Sequence, residues 1–371
     1  MFRVCLLIFL FFCGALVHAD SVAVKGKLDL TNIRFSELDT PVALNGEWEF
    51  YWKKLLTPGN FSDPNNLNVK MYSPLPSTWD SMQVNGEYLP AKGYATYRLQ
   101  LDISETENLS FYTRNFGTSS RLFINGKEVF KSGIVSEFEE TSYPSSTPMS
   151  FPYLSDNKHL DIVLQVSNYD YRIGGPWYPL EIGNSDKIQK KIYYSIILDF
   201  FVFSSVFIMG LYHIGLYLNR KKALEALFFG FFCLLISFRT LATGEKTILL
   251  LVPTIPWEIP MKLEYLTFYL GLPFFINYFY ILFKDITYYP MVVACNTFSA
   301  LFSIIVLFTD SYIYTYTVQA FQVITLVFIL YGIIVLSIAF KRKASGAGIF
   351  LLSLVIFSST IIHDFLYSNL I

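Results

Sequence analysis

The sequence predicts a two-part fold: an all-β sandwich or jelly roll over residues 20–185, then an all-α polytopic membrane bundle over 186–371. Three observations predict it. Apolar and polar residues alternate with period two through the first half, as half-buried strands require. Apolar runs long enough to cross a bilayer fill the second half. A short apolar leader precedes both.

The leader, residues 1–19, has Arg3, a short apolar core and the small-residue ending Val17-His18-Ala19. That is the pattern of a secretory signal peptide cleaved after Ala19. The alternative is an uncleaved anchor. A lipoprotein reading at Cys13 is disfavoured by the bulky Leu10-Phe11-Phe12 before it. The other cysteines are Cys5, Cys233 and Cys295, so residues 20–185 carry none and must fold by packing. A formal net charge of -1 gives no reason to expect nucleic acid. No zinc finger, basic tail or phosphate loop is present, and no cofactor motif.

Strands follow in order. "YRLQLDI" sets Tyr97, Leu99, Leu101 and Ile103 against Arg98, Gln100 and Asp102. "LDIVLQVSN" places Leu160, Ile162, Leu164 and Val166 on one face. In "RLFINGKEVF", Asn125-Gly126 joins two short runs, and both tolerate positive φ, which predicts a type I′ hairpin. Breaks rich in Gly, Pro, Ser and Asn, such as "SSTPMSFPYLSDNKH", separate the runs. Many short strands within one exported unit imply a sandwich.

Aromatic residues beside polar ones suit sugar rings and other small organic ligands. Trp48 and Phe50, in "NGEWEFYWKKLL", read as ordinary core. The candidate ligand-binding residues are Trp79 of "PSTWDS" and Tyr169, Asp170, Arg172 and Trp177 of "SNYDYRIGGPWYPLEIG". The second stretch is polar and glycine-rich, like a binding rim. Core packing is the competing reading for each.

Six stretches qualify as membrane helices, at about 193–218, 223–240, 263–283, 291–308, 314–340 and 346–367. "TILLLVPTIP" is short and carries two prolines, so it reads as a loop resting on the interface. The first, third and fifth links carry Arg220-Lys221-Lys222, Lys284 and Lys341-Arg342-Lys343, while the others are poor in basic residues. Basic links face the cytoplasm, which independently puts the β unit outside. Six crossings that start outside imply that "HDFLYSNLI" ends outside.

With "NGEWEFYWKKLLTP", "ATYRLQL", "LFINGKEV", "LQVSNYDYRIGG", "MGLYHIGLYLNRKK", "KLEYLTFYLGLPFF" and "HDFLYSNLI" in this order, the chain resembles the bacterial seven-transmembrane receptors with diverse intracellular signalling modules. The resemblance covers nearly everything after the leader. It implies a galactose-binding-like periplasmic jelly roll that senses carbohydrates or other small molecules. A seven-helix core and a cytoplasmic output module, such as a kinase or cyclase, would follow. Here six helices are found, and no kinase or cyclase motif occurs, so catalysis is not expected of this chain.

Ionisable residues within membrane helices are costly and mark functional hypotheses. They are His213, Arg239, Glu264, His363 and Asp364. By depth the last four form one outer cluster, in which Arg239 is expected to pair with Glu264 or Asp364 and to couple the β unit to the bundle. A structural polar lock, or snorkelling into headgroups, is the competing reading. No compact metal-ligand spacing occurs, so no metal is expected.

The expected function is an inner-membrane receptor for an extracytoplasmic small molecule or carbohydrate. Its expected partners are membrane lipid, a cytoplasmic kinase or cyclase, and, since signalling receptors often pair, a second copy. The alternatives are a membrane-embedded transporter or enzyme, and a truncated receptor with no output.

Overall fold

A computed structural model of the chain describes residues 22–62, 71–84, 86–145 and 147–368. The expected signal peptide, with Cys5 and Cys13, lies outside the described residues.

The first half is built of β1 (Lys27–Leu30), β2 (Val42–Ala43), β3 (Gly46–Trp52), β4 (Met71–Leu75), β5 (Gln83–Val84), β6 (Glu87–Tyr88) and β7 (Gly93–Ile103). It continues with β8 (Leu109–Thr113), β9 (Ser119–Ile124), β10 (Lys127–Ser132), β11 (Met149–Pro152), β12 (His159–Asn168) and β13 (Glu181–Asn184). A seven-stranded sheet runs β10-β9-β12-β7-β3-β4, with β1 parallel to β7. A four-stranded sheet runs β11-β8-β13-β2, and β5-β6 form a separate ribbon. Leu99 and Leu101 of β7, Leu160, Ile162 and Leu164 of β12, Phe111 of β8 and Ile182 of β13 share one buried core, so the sheets pack face to face. The β9-β10 turn has Asn125 at φ +48° and Gly126 at φ +83°, the type I′ signature that the sequence predicts.

One expectation about this half fails. The alternation predicts a solvated outer face for β12, yet Val163 and Gln165 on that face are buried too. Residues 53–56 lie across this face of the sheet. The Gln165 amide donates to the Leu56 carbonyl at 2.9 Å, and the Thr96 hydroxyl donates to that of Lys54 at 2.7 Å.

The second half holds α1 (Ser185–Asn219), α2 (Leu224–Ala242), α3 (Glu258–Leu282), α4 (Tyr289–Phe308), α5 (Ser311–Lys341) and α6 (Ala347–Ser368). The first five are long and apolar enough to cross a bilayer, and α6 is apolar over Ala347–His363. Large apolar side chains point outward, among them Phe201, Ile208 and Leu211 of α1. Such a surface fits lipid and not water. "TILLLVPTIP" contains one helical turn, Ile248–Leu251, with Leu250 and Leu251 exposed.

The two halves meet without a linker. β13 ends at Asn184, whose side chain accepts from the Asp186 and Lys187 amides and so caps α1. The base of α1 is fastened to the sandwich. Ser110 and Ser185 hydroxyls lie 2.8 Å apart, Lys187 pairs with Asp39 at 2.8 Å, and Lys191 with Glu181 at 2.5 Å.

Candidate ligand cleft and coupling junction

The junction gathers side chains from β8, from the loop after β12, and from the outer ends of the helices. Its most buried ionic contact was not expected from the sequence. Glu245, in the α2–α3 link, has a side chain only 6% exposed. It accepts from the Tyr112 hydroxyl of β8 and from Arg114 Nε at 3.0 Å. Burial and then this carboxylate push the Tyr112 phenol well above its ordinary pKa. Two residues on, Thr247 donates to Asp199 of α1 at 2.6 Å. The α2–α3 link is thus held by the sandwich on one side and by α1 on the other.

A second attachment runs through the loop after β12. The Arg172 amide donates to Thr315 of α5 at 3.2 Å, and the Tyr171 and Tyr265 hydroxyls lie 3.3 Å apart. Asn168 organises the loop: its side-chain amide donates to the carbonyls of Ala91, Tyr171 and Ile173.

Beside the second attachment lies a cleft of about 420 Å³, a size suited to a small ligand. The sandwich supplies Lys92, Glu139, Tyr169 and Asp170, and the outer helix ends supply Trp257, Glu258, Asp310 and Tyr312. Lys92 pairs with Glu139 at 2.6 Å and sits 4.5 Å from the Tyr312 ring centre. Tyr169 donates to the Glu137 carbonyl at 2.6 Å, and burial pushes its phenol up to about 12. Asp170 has its pKa raised, by burial first and then by the negative charge of Glu139.

The five sequence-predicted ligand residues do not form one rim. Tyr169 and Asp170 line the cleft. Arg172 turns toward the bundle and lines a separate small cavity of about 70 Å³ with Arg239 and Glu264. Trp177 packs on Tyr171 at 4.6 Å between ring centres. Trp79 needs correction: its ring is 0% exposed, with Nε1 donating to the carbonyls of Pro90 and Ala91. It lies under Gly174, where a Cβ would meet the indole at 2.3 Å, so it forms the floor of the loop and not a contact surface.

The intramembrane set divides as well. Arg239 and Glu264 do meet, through the Glu264 backbone carbonyl, to which Arg239 donates at 2.7 Å. His363 lines a larger cavity together with Arg239. The Asp364 side chain lies outside the described residues. His213 is elsewhere, its Nδ1 2.9 Å from the Met209 carbonyl and its ring against Phe229, a local bond within α1. The residues that sequence reasoning missed are Lys92, Tyr112, Arg114, Glu245, Trp257, Glu258, Asp310 and Tyr312. One faint signal existed: Glu245 is the only carboxylate in the "TGEKT" link between two apolar runs.

Comparison with known proteins bears on the helical half. The profile of the family described as "7TM diverse intracellular signalling" matches residues 195–371. The helical half belongs to the 7TM diverse intracellular signalling family. The chain is a multi-pass membrane protein with an N-terminal β domain, and its helical half is similar to receptors of that type. No curated protein matches it. Solved structures overlap the chain only in part. A β-glucuronidase from Bacteroides uniformis is 20% identical over 38% of this chain and 17% of its own, with a TM-score of 0.28. A β-glucuronidase from an uncultured Clostridium sp. is 14% identical over 38% and 28%, at 0.30. A β-galacturonidase from Eisenbergiella tayi is 12% identical over 38% and 24%, at 0.27. The chain spans under a third of the length of each, and likeness at this level carries no argument about function.

Proposed function

We propose that the chain senses an extracytoplasmic small molecule, with carbohydrate as the leading class, in the cleft between the β domain and the outer helix ends. The observation that carries this reading is the origin of the cleft walls. Tyr169 and Asp170 come from the β domain, Trp257, Glu258 and Tyr312 from the helical half. A ligand there touches both units, so it favours one relative placement over another. The shift is bounded by its differential affinity for the two states. Glu245 and the α2–α3 link, gripped by Tyr112 and Arg114, pass the movement into the bundle. The basic links around Lys221, Lys284 and Arg342 face the cytoplasm of a bacterial inner membrane, and the β domain faces the periplasm. Output then belongs to a kinase or cyclase, supplied outside these residues or by a partner.

The test is a glycan array probed with the full chain in nanodiscs. Binding to a defined sugar, weakened at least tenfold by Tyr169→Ala and Asp170→Asn, supports the reading. A folded protein that binds no glycan sinks the carbohydrate version.

A second reading has its own support. Among the described residues, four carboxylates, Glu139, Asp170, Glu258 and Asp310, line the cleft against one cation, Lys92. With Trp257 and Tyr312 beside them, they also suit an organic ammonium ion. Protection of the chain from thermal unfolding by an alkylamine, and by no sugar, would choose it. A transporter is tested by solute flux in vesicles, where no flux is expected.

A further inference from the structure

We propose that the ligand of the cleft is an oligosaccharide of two or more units, whose second unit lies in an adjoining chamber walled by the α2–α3 link. The inference rests on the reading of the cleft as a sugar site. The chamber measures about 280 Å³, beside the cleft of about 420 Å³. Taken alone it falls just below the span of about 300–1,000 Å³ over which small-ligand pockets occur. It extends the cleft and does not stand as a separate site.

Four residues line both spaces: Tyr143 and Pro144 from the β domain, Pro256 and Trp257 from the end of the link. They form the ridge between the chambers. Tyr143 is 54% exposed and Pro256 is exposed, so a ligand crosses the ridge at the surface. Trp257 packs against the buried cluster of Met261, Tyr265 and Tyr314, which holds its ring as a fixed platform. A tyrosine and a tryptophan on one ridge offer flat apolar surfaces with polar edges, which suit the C–H faces of sugar rings. Beyond the ridge, Pro253 and Pro260 add apolar wall, and Ser145, Thr147 and Thr254 add hydroxyls. Each hydroxyl both donates and accepts, as those of a sugar do.

The chamber supplies a contact that the cleft lacks. Among the described residues, the cleft meets the α2–α3 link only at Pro256 and Trp257. The chamber is lined by Lys246, Leu249, Thr254 and Ile255 as well, along most of the link. Lys246 follows Glu245, which Tyr112 and Arg114 hold to the sandwich. A one-unit ligand therefore binds beside the link, and a longer one rests on it. A ligand shifts a conformational equilibrium only through interactions that differ between the two states. The second unit is the part of the ligand that acts on the link, and chain length is what the site selects.

The experiment uses the full chain in phosphatidylcholine nanodiscs. It is probed with an array that carries each monosaccharide beside its own di- and trisaccharide, and the series that binds is then titrated in solution. Affinity should rise by about tenfold or more from one unit to two. Thr254→Trp fills the chamber from the link, and Thr147→Trp fills it from the β domain. Either should return the disaccharide to the affinity of the monosaccharide, and monosaccharide binding should not change. Hydrogen exchange over residues 246–256 should slow with the disaccharide and not with the monosaccharide. Equal affinity of the two sugars overturns the inference and leaves the cleft reading standing. Full disaccharide affinity in a folded chamber-filling variant does the same. A folded chain that binds no glycan removes both. Should one variant not fold, the other fills the chamber from the opposite wall, and the length series on the unmodified chain decides by itself.

Discussion

Glu245 shows how much a single buried carboxylate carries at this junction. Its two donors, Tyr112 and Arg114, come from the other domain. Replacing Glu245 with Ala removes the acceptor of both and leaves the Tyr112 hydroxyl buried without it, at a cost of about 1–3 kcal/mol. Tyr112→Phe removes only one hydroxyl, at about 1 kcal/mol. Thermal unfolding of the solubilised chain should rank the two in that order, and an equal effect would contradict the shared-acceptor geometry. Asp170 makes the opposite case, since its pKa is raised in the folded chain by burial and by Glu139. The unfolded chain therefore ionises this group first, and folding loses stability as pH rises through the folded value. Asp170→Asn should be more stable than the parent near neutral pH. The difference should vanish below about pH 4, where both states are protonated. A gain that persists in acid would contradict the assignment.

At the scale of elements, α1 and α2 depend on two glycines. A Cβ on Gly210 would meet the Gly230 carbonyl at 3.0 Å, and one on Gly230 would meet the Gly210 carbonyl at 3.0 Å. Small residues let membrane helices approach backbone to backbone, where dispersion and not water drives contact. Gly230→Val should force the pair apart, costing about 1–3 kcal/mol. A lower unfolding midpoint in detergent, with unchanged helical circular dichroism, is the expected result. The strands and helices themselves were legible, because periods of 2 and long apolar runs are local signals. β12 was read as half-solvated because nothing local announces that residues 53–56 will cover its outer face.

For the whole molecule, the alternation of links sets which groups share a side. The links that touch the β domain are α2–α3 and α4–α5, through Glu245 and through Asp310 to Thr315. The basic links are the others. A cysteine at position 254, in the exposed outer link, should react in whole cells with a membrane-impermeant thiol reagent. One at 221 should react only after lysis. The native Cys233 and Cys295 are buried and should stay silent. Labelling of 221 in intact cells would invert the orientation.

By itself the sequence determined the order of a β unit and a helical bundle, the hairpin at Asn125-Gly126, and the polarity of the links. Each rests on residues near one another in the chain. The tertiary structure alone decided the sites. Trp79 and Asp170 were both candidate ligand residues, yet one is a core ring and the other faces a cleft. Tyr112 and Glu245 stand 133 residues apart and meet only because β8 packs over the α2–α3 link. A cleft is made of partners, and the local pattern around a residue does not carry the identity of what folds against it.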